Sequence, residues 1–465
     1  MVDQNVLDEV LGVALAHGGY FAEVFIESKV TDNLRLENHK IESFSSGRDR
    51  GAGLRVISGA ATYFIHTDIL EPAALLASAK ELAIAVKAQR GAGHSPVLTR
   101  LQPVNATAVH PVAIPPDTVA QAAKADLARR ADAEARRRSK NIQQVTVMLA
   151  DSVQDIQVAN SDGVYGIDKR TLTRIFVFAV TKSGERVESA HEAPGIQGGF
   201  ELFETFTPEK AGRAAAERAQ MLLTAVDAPS GSLPVVLGNG TGGVLFHEAS
   251  GHGLEADAIR KGASVFAGRI GEVVAAPGVS AADDPSLPNR WGSFALDDEG
   301  VPARETLLIE NGILRGFMYD LLTARLAGAE PTPNGRRQSF RHVPIPRMTN
   351  TYIKPGPDTL EDMLSGIKKG LYAKALGGGE VNPATGDYVF GVTEGYLIEN
   401  GAITSPVRGA VLVGNGPQTL LDIQMVGSDL DFDAGMCGKA GQSVPAGTGQ
   451  PSLKIKQLTV GGTGG

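Results

Sequence analysis

The sequence predicts an α+β fold in two domains: an N-terminal α/β-mixed domain, residues 1–229, with antiparallel strands and covering helices, and a strand-rich C-terminal domain, residues 230–465, that carries the helix of a candidate metal site. Three observations support this expectation. A chain of 465 residues is too long for one typical core. Strand-like and helix-like segments succeed one another in the first half. Pro229, Gly231 and Pro234 then interrupt both patterns, which marks a domain boundary.

The N-terminal segment predicts a helix over residues 3–16, because Val6, Val10 and Val13 recur at helical spacing. Strand-like segments follow, and the last two should form a hairpin that turns at Ser58-Gly59. An alanine- and leucine-rich segment then predicts a helix that covers this sheet. The strands are expected at residues 22–28, 34–37, 41–45, 53–57 and 61–66, and the helix at residues 72–87.

A second helix-and-strand group completes the predicted N-terminal domain. Residues 117–140 are strong helix formers that end in three arginines. Acidic residues accompany these arginines and no aromatic residues are interleaved, which favours a solvated, salt-bridged face over a nucleic-acid patch. Strands are expected at residues 144–149, 156–159 and 173–181, and a helix from Pro208 to about residue 226.

The predicted C-terminal domain begins with a short apolar strand and a glycine-rich turn, from which a helix starts at about Val244. Further on, Asn311-Gly312 and Asn400-Gly401 each separate apolar runs, which predicts two hairpins. These hairpins indicate either a duplicated sheet element or ordinary turn chemistry used twice. The long segment at residues 263–293 is expected to be a lid, a substrate wall or a plain surface excursion.

The helix at Val244 carries the segment HEASGHGLEAD, residues 247–257, which we interpret as a zinc site. His247 and His252 offer two imidazoles, and Glu248 offers a carboxylate that can take a proton from water. The histidines are five residues apart, about 140° around an ideal helix, so their convergence requires a widened turn of the π type at Ser250-Gly251. The alternative is two unrelated histidines on a helix surface.

A third ligand is needed, and the sequence offers few candidates. Cys437, the one cysteine, lies among small residues near the C-terminus, and its simplest alternative role is that of a small buried apolar side chain. Glu255 is the oxygen alternative, because two histidines and a glutamate also form an established zinc set. A group of arginines near His342 could bind a peptide carboxylate or form structural ion pairs.

Three segments carry a resemblance to a known family: GNGTGGVLFHEASGHGLEAD, GRRQSFRHVPIPRMTNTYI and GMCGKAGQSVPAGTGQPSLKI. They resemble the TldD branch of the TldD/PmbA family, once described as modulators of DNA gyrase and understood as zinc metallopeptidases. The resemblance implies one zinc ion per chain, held by His247, His252 and Cys437, with Glu248 as the catalytic carboxylate of an HExxxH site. Glu255 and Asp257 would then support the ligands from behind, and His342 would be the next candidate for the base.

The resemblance also implies substrates and partners. The substrates would be extended or unfolded peptides, such as leader regions of modified peptide antibiotics or labile antitoxins. The site would be enclosed in a homodimer or in a heterodimer with a PmbA-type paralogue. The competing hypothesis is a non-catalytic adaptor that modulates DNA gyrase or another protein, although an adaptor has no need for a general base beside two metal-binding imidazoles.

The composition limits the remaining classes of function. The formal net charge of −8 gives no general attraction to nucleic acid or anionic lipid, so any role at gyrase would be indirect. A single cysteine fits a reducing compartment, and the first residues lack a basic segment followed by an apolar one. We therefore expect a cytoplasmic protein with no membrane span and no direct contact with nucleic acid.

Overall fold

A computed structural model describes residues 1–88, 98–106, 111–382 and 384–462. The first half builds an eight-stranded sheet in which β3, β2, β1, β5 and β6 follow one another in antiparallel order, and β4, β7 and β8 pair with β6. Its strands are β1 (Phe21–Glu37), β2 (Lys40–Ser58), β3 (Ala61–Thr67), β4 (Gln102–Pro103), β5 (Ile142–Asn160), β6 (Val164–Ser183), β7 (Arg186–Glu192) and β8 (Gly195–Gln197). Its helices are α1 (Gln4–Ala14), α2 (Pro72–Ala88), α3 (Gln121–Arg137), α4 (Leu202–Thr205) and α5 (Pro208–Leu222).

The helices cover one face of this sheet, as the sequence predicts. Near the β2–β3 hairpin, α1 and α2 bury Val24 and Leu54, and toward the other end α3 and α5 bury Val147 and Val177. The arginines that end α3 pair with acids of the same helix, such as Asp132 and Glu134, so the predicted salt-bridged face is confirmed. The apolar periodicity of these helices is therefore explained by one shared sheet.

The strands of this sheet are longer than the sequence predicts. The two expected segments at residues 22–28 and 34–37 are one strand, β1, and the same holds for the pairs within β2 and β5. In the polar middle of these strands, Arg48 of β2 still pairs in register with Val30 of β1, and both residues are exposed. Cross-strand pairing outweighs weak strand propensity there, because that propensity depends on the neighbours a residue finds.

The second half forms a larger set of strands and short helices. Its strands are β9 (Val226–Asp227), β10 (Gly231–Leu237), β11 (Ala281–Asp283), β12 (Thr306–Glu310), β13 (Ile313–Leu314), β14 (Gly335–Arg336), β15 (Ile345–Pro346), β16 (Asn350–Ile353), β17 (Lys369–Val381), β18 (Asp387–Glu399), β19 (Ala402–Arg408), β20 (Val411–Asn415), β21 (Ile423–Val426), β22 (Asp431–Lys439), β23 (Gln442–Gln450) and β24 (Leu453–Gly461). Its helices are α6 (Gly243–Ala249), α7 (Ala256–Arg260), α8 (Leu321–Ala327), α9 (Leu360–Leu364) and α10 (Gly416–Leu421).

Two sheets of the second half enclose α6. One has the order β17-β10-β24-β20-β18-β19-β9, with β21 also on β24, and the other has the order β13-β12-β11-β16-β23-β22. Leu245, Phe246 and Ala249 of α6 are buried in the core that both sheets share. The segment that precedes the metal-site histidines is thus held between two rigid layers, and β22 is the edge strand of the second sheet.

Several expectations for the second half can be compared with this architecture. Both Asn-Gly hairpins are confirmed, between β12 and β13 and between β18 and β19, but they lie in different sheets, which favours ordinary turn chemistry used twice. Three residues of the segment 263–293 form β11 between β12 and β16, so this part of it is built into the sheet. The mixed, strand-rich architecture agrees with the α+β prediction, and the two-domain division stays a prediction whose last three residues lie outside the described chain.

The described chain also bears on membrane association. Among its helices, none has both the length and the apolar character that crossing a bilayer requires.

Candidate metal centre

The two histidines lie on separate helical segments. α6 carries His247 and ends at Ala249, where Ser250 leaves the helical conformation with φ −135° and ψ −44°. A short 3₁₀ segment, Gly251–Leu254, then carries His252. The predicted continuous helix with a π-type turn is therefore wrong: the chain breaks at the soft Ser-Gly pair and restarts. The two imidazole rings meet edge to face, with their centroids 5.2 Å apart.

Cys437 reaches the histidines from β22. It pairs with Val444 of β23, and its side chain is 3% exposed within the core. One ligand atom from each of His247, His252 and Cys437 lies within 4.8 Å of the others, and Sγ of Cys437 is 3.6 Å from Nε2 of His252. The structure thus brings Cys437 to the histidines across 185 positions of sequence, and Glu255 is not in this group of converging atoms.

The donor set fits a zinc ion. Tetrahedral zinc with bonds of about 2.0 to 2.3 Å to nitrogen and sulfur places neighbouring ligand atoms about 3.3 to 3.8 Å apart. The 3.6 Å between Cys437 and His252 lies in that range. Nδ1 of His247 is buried and has no hydrogen-bond partner among the described residues, as expected for a group in a metal-binding pocket. Two imidazoles and one thiolate leave the fourth position of a catalytic site open.

Glu255 orients His252. Its Oε2 is 2.9 Å from Nδ1 of His252, which fixes the ring so that Nε2 faces Cys437. Lys439 donates from Nζ to the same oxygen at 2.9 Å and to Oδ1 of Asp257 at 2.6 Å. Burial would raise the pKa of Glu255, but His252 and Lys439 outweigh it and lower the pKa to about 2. Glu255 therefore contacts His252 directly, and Asp257 is linked to Glu255 through Lys439.

Charge in the cluster is separated between its sulfur and a ring nitrogen. Burial would raise the pKa of the Cys437 thiol, but the nearby His247 and His252 imidazoles lower it to about 4. Burial would lower the pKa of His252, but Glu255 and Cys437 raise it to about 11. Cys437 is thus held as a thiolate, which is the form that binds metal ions.

Glu248 lies beside the same ring nitrogen. Its Oε2 is 3.6 Å from Nε2 of His252, and its side chain is 28% exposed. A carboxylate in this position can exchange protons with a molecule that enters next to the metal ligands, while solvent still reaches it. The arrangement therefore combines a buried donor set with an accessible base.

His342 and the arginines near it have other contacts. His342 accepts or donates a hydrogen bond with Ser339 at 3.0 Å and contributes no ligand atom to the converging group. Arg337 pairs with the buried Glu23, and Arg341 pairs with Asp49, so these two arginines form structural ion pairs to the first sheet. Arg347 donates to the carbonyl of Cys437 and so holds the strand that carries the thiolate.

Lys439 is the functional residue that reasoning from the sequence missed. It follows Cys437 by two positions, and residues two apart on a strand point to the same face. Once Cys437 is placed on a strand as a ligand, this alternation predicts that Lys439 lies beside the metal site. The sequence pattern did not indicate that Cys437 and Lys439 share the strand β22.

Family models match most of the chain. Residues 22–88 match the model of the PmbA/TldA metallopeptidase domain 1, residues 114–223 that of the central domain, and residues 230–462 that of the C-terminal domain.

The relatives of this chain carry consistent names. A metalloprotease TldD homolog from Haemophilus influenzae is 40% identical over 95% of this chain and 93% of its own length. A metalloprotease from Methanothermobacter thermautotrophicus is 35% identical over 95% of this chain and 96% of its own. A zinc metalloprotease TldD homolog from Saccharolobus solfataricus is 35% identical over 62% of this chain and 64% of its own.

Solved structures share the fold at lower sequence identity. A proposed modulator of a DNA gyrase from Thermotoga maritima superposes with a TM-score of 0.79 at 24% identity, covering 98% of this chain and 100% of that one. TldE from Thermococcus kodakarensis superposes with a TM-score of 0.77 at 20% identity, covering 98% and 99%. These similarities concern the fold alone.

Proposed function

Because the chain belongs to the TldD branch of the PmbA/TldD metallopeptidase family, we propose that it is a zinc-dependent peptidase of the HExxxH type. One zinc ion per chain would be held by His247, His252 and Cys437. The observation that supports this most directly is the convergence of their ligand atoms within 4.8 Å, beside a partly buried glutamate.

The residues of the chain divide the work between binding and proton transfer. Bound zinc would act as a Lewis acid that polarises a peptide carbonyl and lowers the pKa of a water molecule. Oε2 of Glu248 would accept a proton from the attacking water, and Glu248 would then deliver this proton to the nitrogen of the leaving amine. Glu255 would keep Nδ1 of His252 occupied, so that Nε2 stays turned toward the ion.

The proposed substrates are extended or unfolded peptides. The family resemblance favours leader regions of modified peptide antibiotics or labile antitoxins, and it favours a working unit that is a homodimer or a heterodimer with a PmbA-type paralogue. A base that solvent still reaches supports such a unit, since a second wall would hold the peptide and exclude water.

The test combines metal content with peptide hydrolysis. We expect protein purified without a histidine tag and supplied with zinc to contain about one zinc ion per chain and to cleave an unstructured reporter peptide. Glu248→Gln should retain the zinc and lose about 10²- to 10⁴-fold in kcat, because a positioned base contributes that much. Glu42→Gln, an exposed glutamate of β2, is the matched control and should behave as wild type.

The same measurement addresses the adaptor hypothesis. Protein that binds no zinc and cleaves no unstructured peptide, alone or with a PmbA-type paralogue, would refute the peptidase and leave the adaptor. Zinc binding with full turnover in Glu248→Gln would instead mean that another group is the base.

A further inference from the structure

A cavity of about 290 Å³ lies between the first sheet and the β22–β23 hairpin, apart from the metal cluster. Met436 and Pro445 face each other across the hairpin, as do Cys437 and Val444. Because successive residues of a strand point to opposite faces, Met436 points away from the face that carries Cys437. The cavity thus lies behind the hairpin that supplies the metal ligand. Its walls include Lys29, Gln154 and Arg170 of the first sheet and Met436, Ser443 and Pro445 of the hairpin.

The lining of this cavity carries an excess of positive charge. Three lining cations, Lys29, Arg170 and Arg336, accompany a single lining carboxylate, that of Asp298, whereas the side chain of Arg337, the fourth cation in the lining, is 0% exposed. Asp298 is already engaged, because Oδ1 accepts from Arg170 at 2.7 Å and Oδ2 accepts from the backbone N–H of Arg337 at 2.8 Å. Asp298 therefore compensates the charge of Arg170. Arg170 also donates from Nε to Asp168 and from Nη2 to the carbonyl of Leu296.

Two of the cations keep unused donors. Arg336 and Arg337 are each 4% exposed. Arg336 donates from Nη1 to the carbonyl of Met348, and Arg337 donates from Nη2 to Glu23 and to the carbonyl of Asp298. Nε of Arg336, and Nε and Nη1 of Arg337, are buried without a partner in the described chain.

Unused donors on buried cations are unfavourable. Each unsatisfied buried donor carries a desolvation penalty, and the penalty is greater on a charged group. Burial lowers the pKa of Arg336 to about 10, which agrees with a guanidinium whose charge its neighbours only partly compensate. These donors are themselves closed to solvent, so an anion in the cavity would act through the charge of the Arg336 guanidinium and not through hydrogen bonds to them.

We propose that this cavity binds a carboxylate of the peptide substrate, with Arg336 and Lys29 as its recognition groups. A planar guanidinium fork matches the two oxygens of a carboxylate. The volume lies at the lower end of the range for small-ligand sites, which suits one amino-acid side chain or one chain terminus. The proposal rests on the proposed peptidase function, and it adds a preference for substrates with an acidic residue or a free C-terminus at a distance from the cleaved bond.

The experiment measures binding of small probes by isothermal titration calorimetry on the zinc-loaded full chain. N-acetylglutamate α-amide carries only a side-chain carboxylate, N-acetylglutamine carries only a terminal carboxylate, and N-acetylglutamine α-amide is neutral. We expect at least one charged probe to bind saturably and the neutral probe to bind at least about tenfold more weakly. The charged probe that binds more tightly identifies the source of the carboxylate.

Two variants locate the binding. Arg336→Met removes the buried fork, and Lys29→Met removes a half-buried cation whose loss should leave the fold intact. Each variant should bind the charged probe at least about tenfold more weakly than the wild type, whereas the exposed control Lys182→Met should bind it with unchanged affinity. Equal affinity for charged and neutral probes would overturn the proposal, as would tighter binding of inorganic phosphate. Binding that survives both cavity variants would place the carboxylate at the metal and would overturn it too.

The readout also separates this proposal from the peptidase assignment. If the chain binds the charged probe through Arg336 but cleaves no peptide, the proposed carboxylate site is supported and the proposed peptidase function is refuted. If the chain cleaves unstructured peptides but binds no carboxylate in this cavity, the proposed peptidase function is supported and the proposed carboxylate site is refuted.

Discussion

At the scale of single residues, the metal centre depends on groups that hold the ligands as much as on the ligands. His252 is fixed by Glu255 on Nδ1, and Glu255 is in turn fixed by Lys439. Cys437 is held through its carbonyl by Arg347. Partners of this kind set the orientation and basicity of ligands, and their loss typically weakens metal binding 10- to 100-fold.

The role of Cys437 gives the first prediction. We expect Cys437→Ser to fold but to lose zinc affinity by more than about 100-fold, because a neutral hydroxyl replaces one of three protein bonds to the ion. Competition against a chromogenic chelator measures the affinity.

Cys437→Ala is the companion variant for the packing role. If Cys437 only fills the core, both variants keep stoichiometric zinc and normal turnover, and alanine costs only a modest cavity penalty. Retained zinc in Cys437→Ser would make Glu255 the third ligand.

Lys439 gives a prediction with a defined pH dependence. The pKa of Glu255 is about 2 in the folded chain against an ordinary 4.5, so its carboxylate stabilises the fold above about pH 4.5 and this stabilisation is lost as pH falls toward 2. This difference in the pKa of Glu255 corresponds to about 3 kcal/mol in the free energy of unfolding. Lys439→Met removes one of its two positive partners, and we expect acid unfolding of the zinc-free chain to move up by about one pH unit.

Circular dichroism against pH measures this shift. Lys456→Met, an exposed lysine on β24, is the control and should unfold at the wild-type pH. Zinc affinity of Lys439→Met should also fall about 10- to 100-fold. An unchanged acid transition together with wild-type zinc affinity would show that Lys439 does not hold Glu255.

At the scale of elements, the position of α6 depends on close backbone contact. A Cβ added at Gly243, where α6 begins, would lie 2.8 Å from the backbone nitrogen and carbonyl carbon of Gly449 in β23. Both elements lie in the shared core, so neither can retreat easily. The glycine-rich turn thus lets a helix approach a strand more closely than any side chain allows.

Gly243→Ala tests this contact. Alanine favours helix by up to about 1 kcal/mol, but overpacking against backbone costs about 1 to 3 kcal/mol, so we expect a net loss of stability in urea unfolding. Because His247 lies one turn further along α6, zinc affinity should fall as well. Gly47→Ala, whose Cβ would meet open space, is the control. Unchanged stability and zinc affinity in Gly243→Ala would contradict the tight contact.

The sequence carries local signals for its helices but not for the full length of its strands. The helices α1, α2, α3 and α5 were predictable because apolar periodicity and capping residues are local signals. The continuity of β1 was not, because its polar middle is ordered only by its neighbours.

The same limit applies to the metal site. The histidines and Glu248 were predictable from eleven consecutive residues, and Cys437 was proposed from the family resemblance together with its being the one cysteine. The break at Ser250 and the contact of Lys439 with Glu255 depend on how distant segments pack, which local spacing does not encode.

At the scale of the whole molecule, the surroundings of the metal centre bear on assembly. Neither the cavity behind the hairpin nor a second cavity of about 420 Å³ beside β7 is lined by His247, Glu248 or His252. A peptidase site needs walls that position the peptide. We therefore predict that the active unit contains at least two chains, this one with a copy of itself or with a PmbA-type paralogue.

Light scattering with parallel activity assays tests this assembly. We expect activity to accompany a particle of at least twice the chain mass, either alone or after co-expression with the paralogue. A particle of 48.6 kDa at micromolar concentration with full peptidase activity would contradict the prediction.

The ion pairs that join the first sheet to the second half have a further consequence. Glu23 and Arg55 come from the first sheet, Glu299 and Arg337 come from the second half, and all four side chains are at most 1% exposed where they pair. Removing one partner of a buried pair costs about 3 to 5 kcal/mol, a large part of the stability of an ordinary protein. Neither half could be deleted, exchanged or inherited separately without leaving uncompensated charges in the other, so a gene of this kind is expected to evolve as one unit.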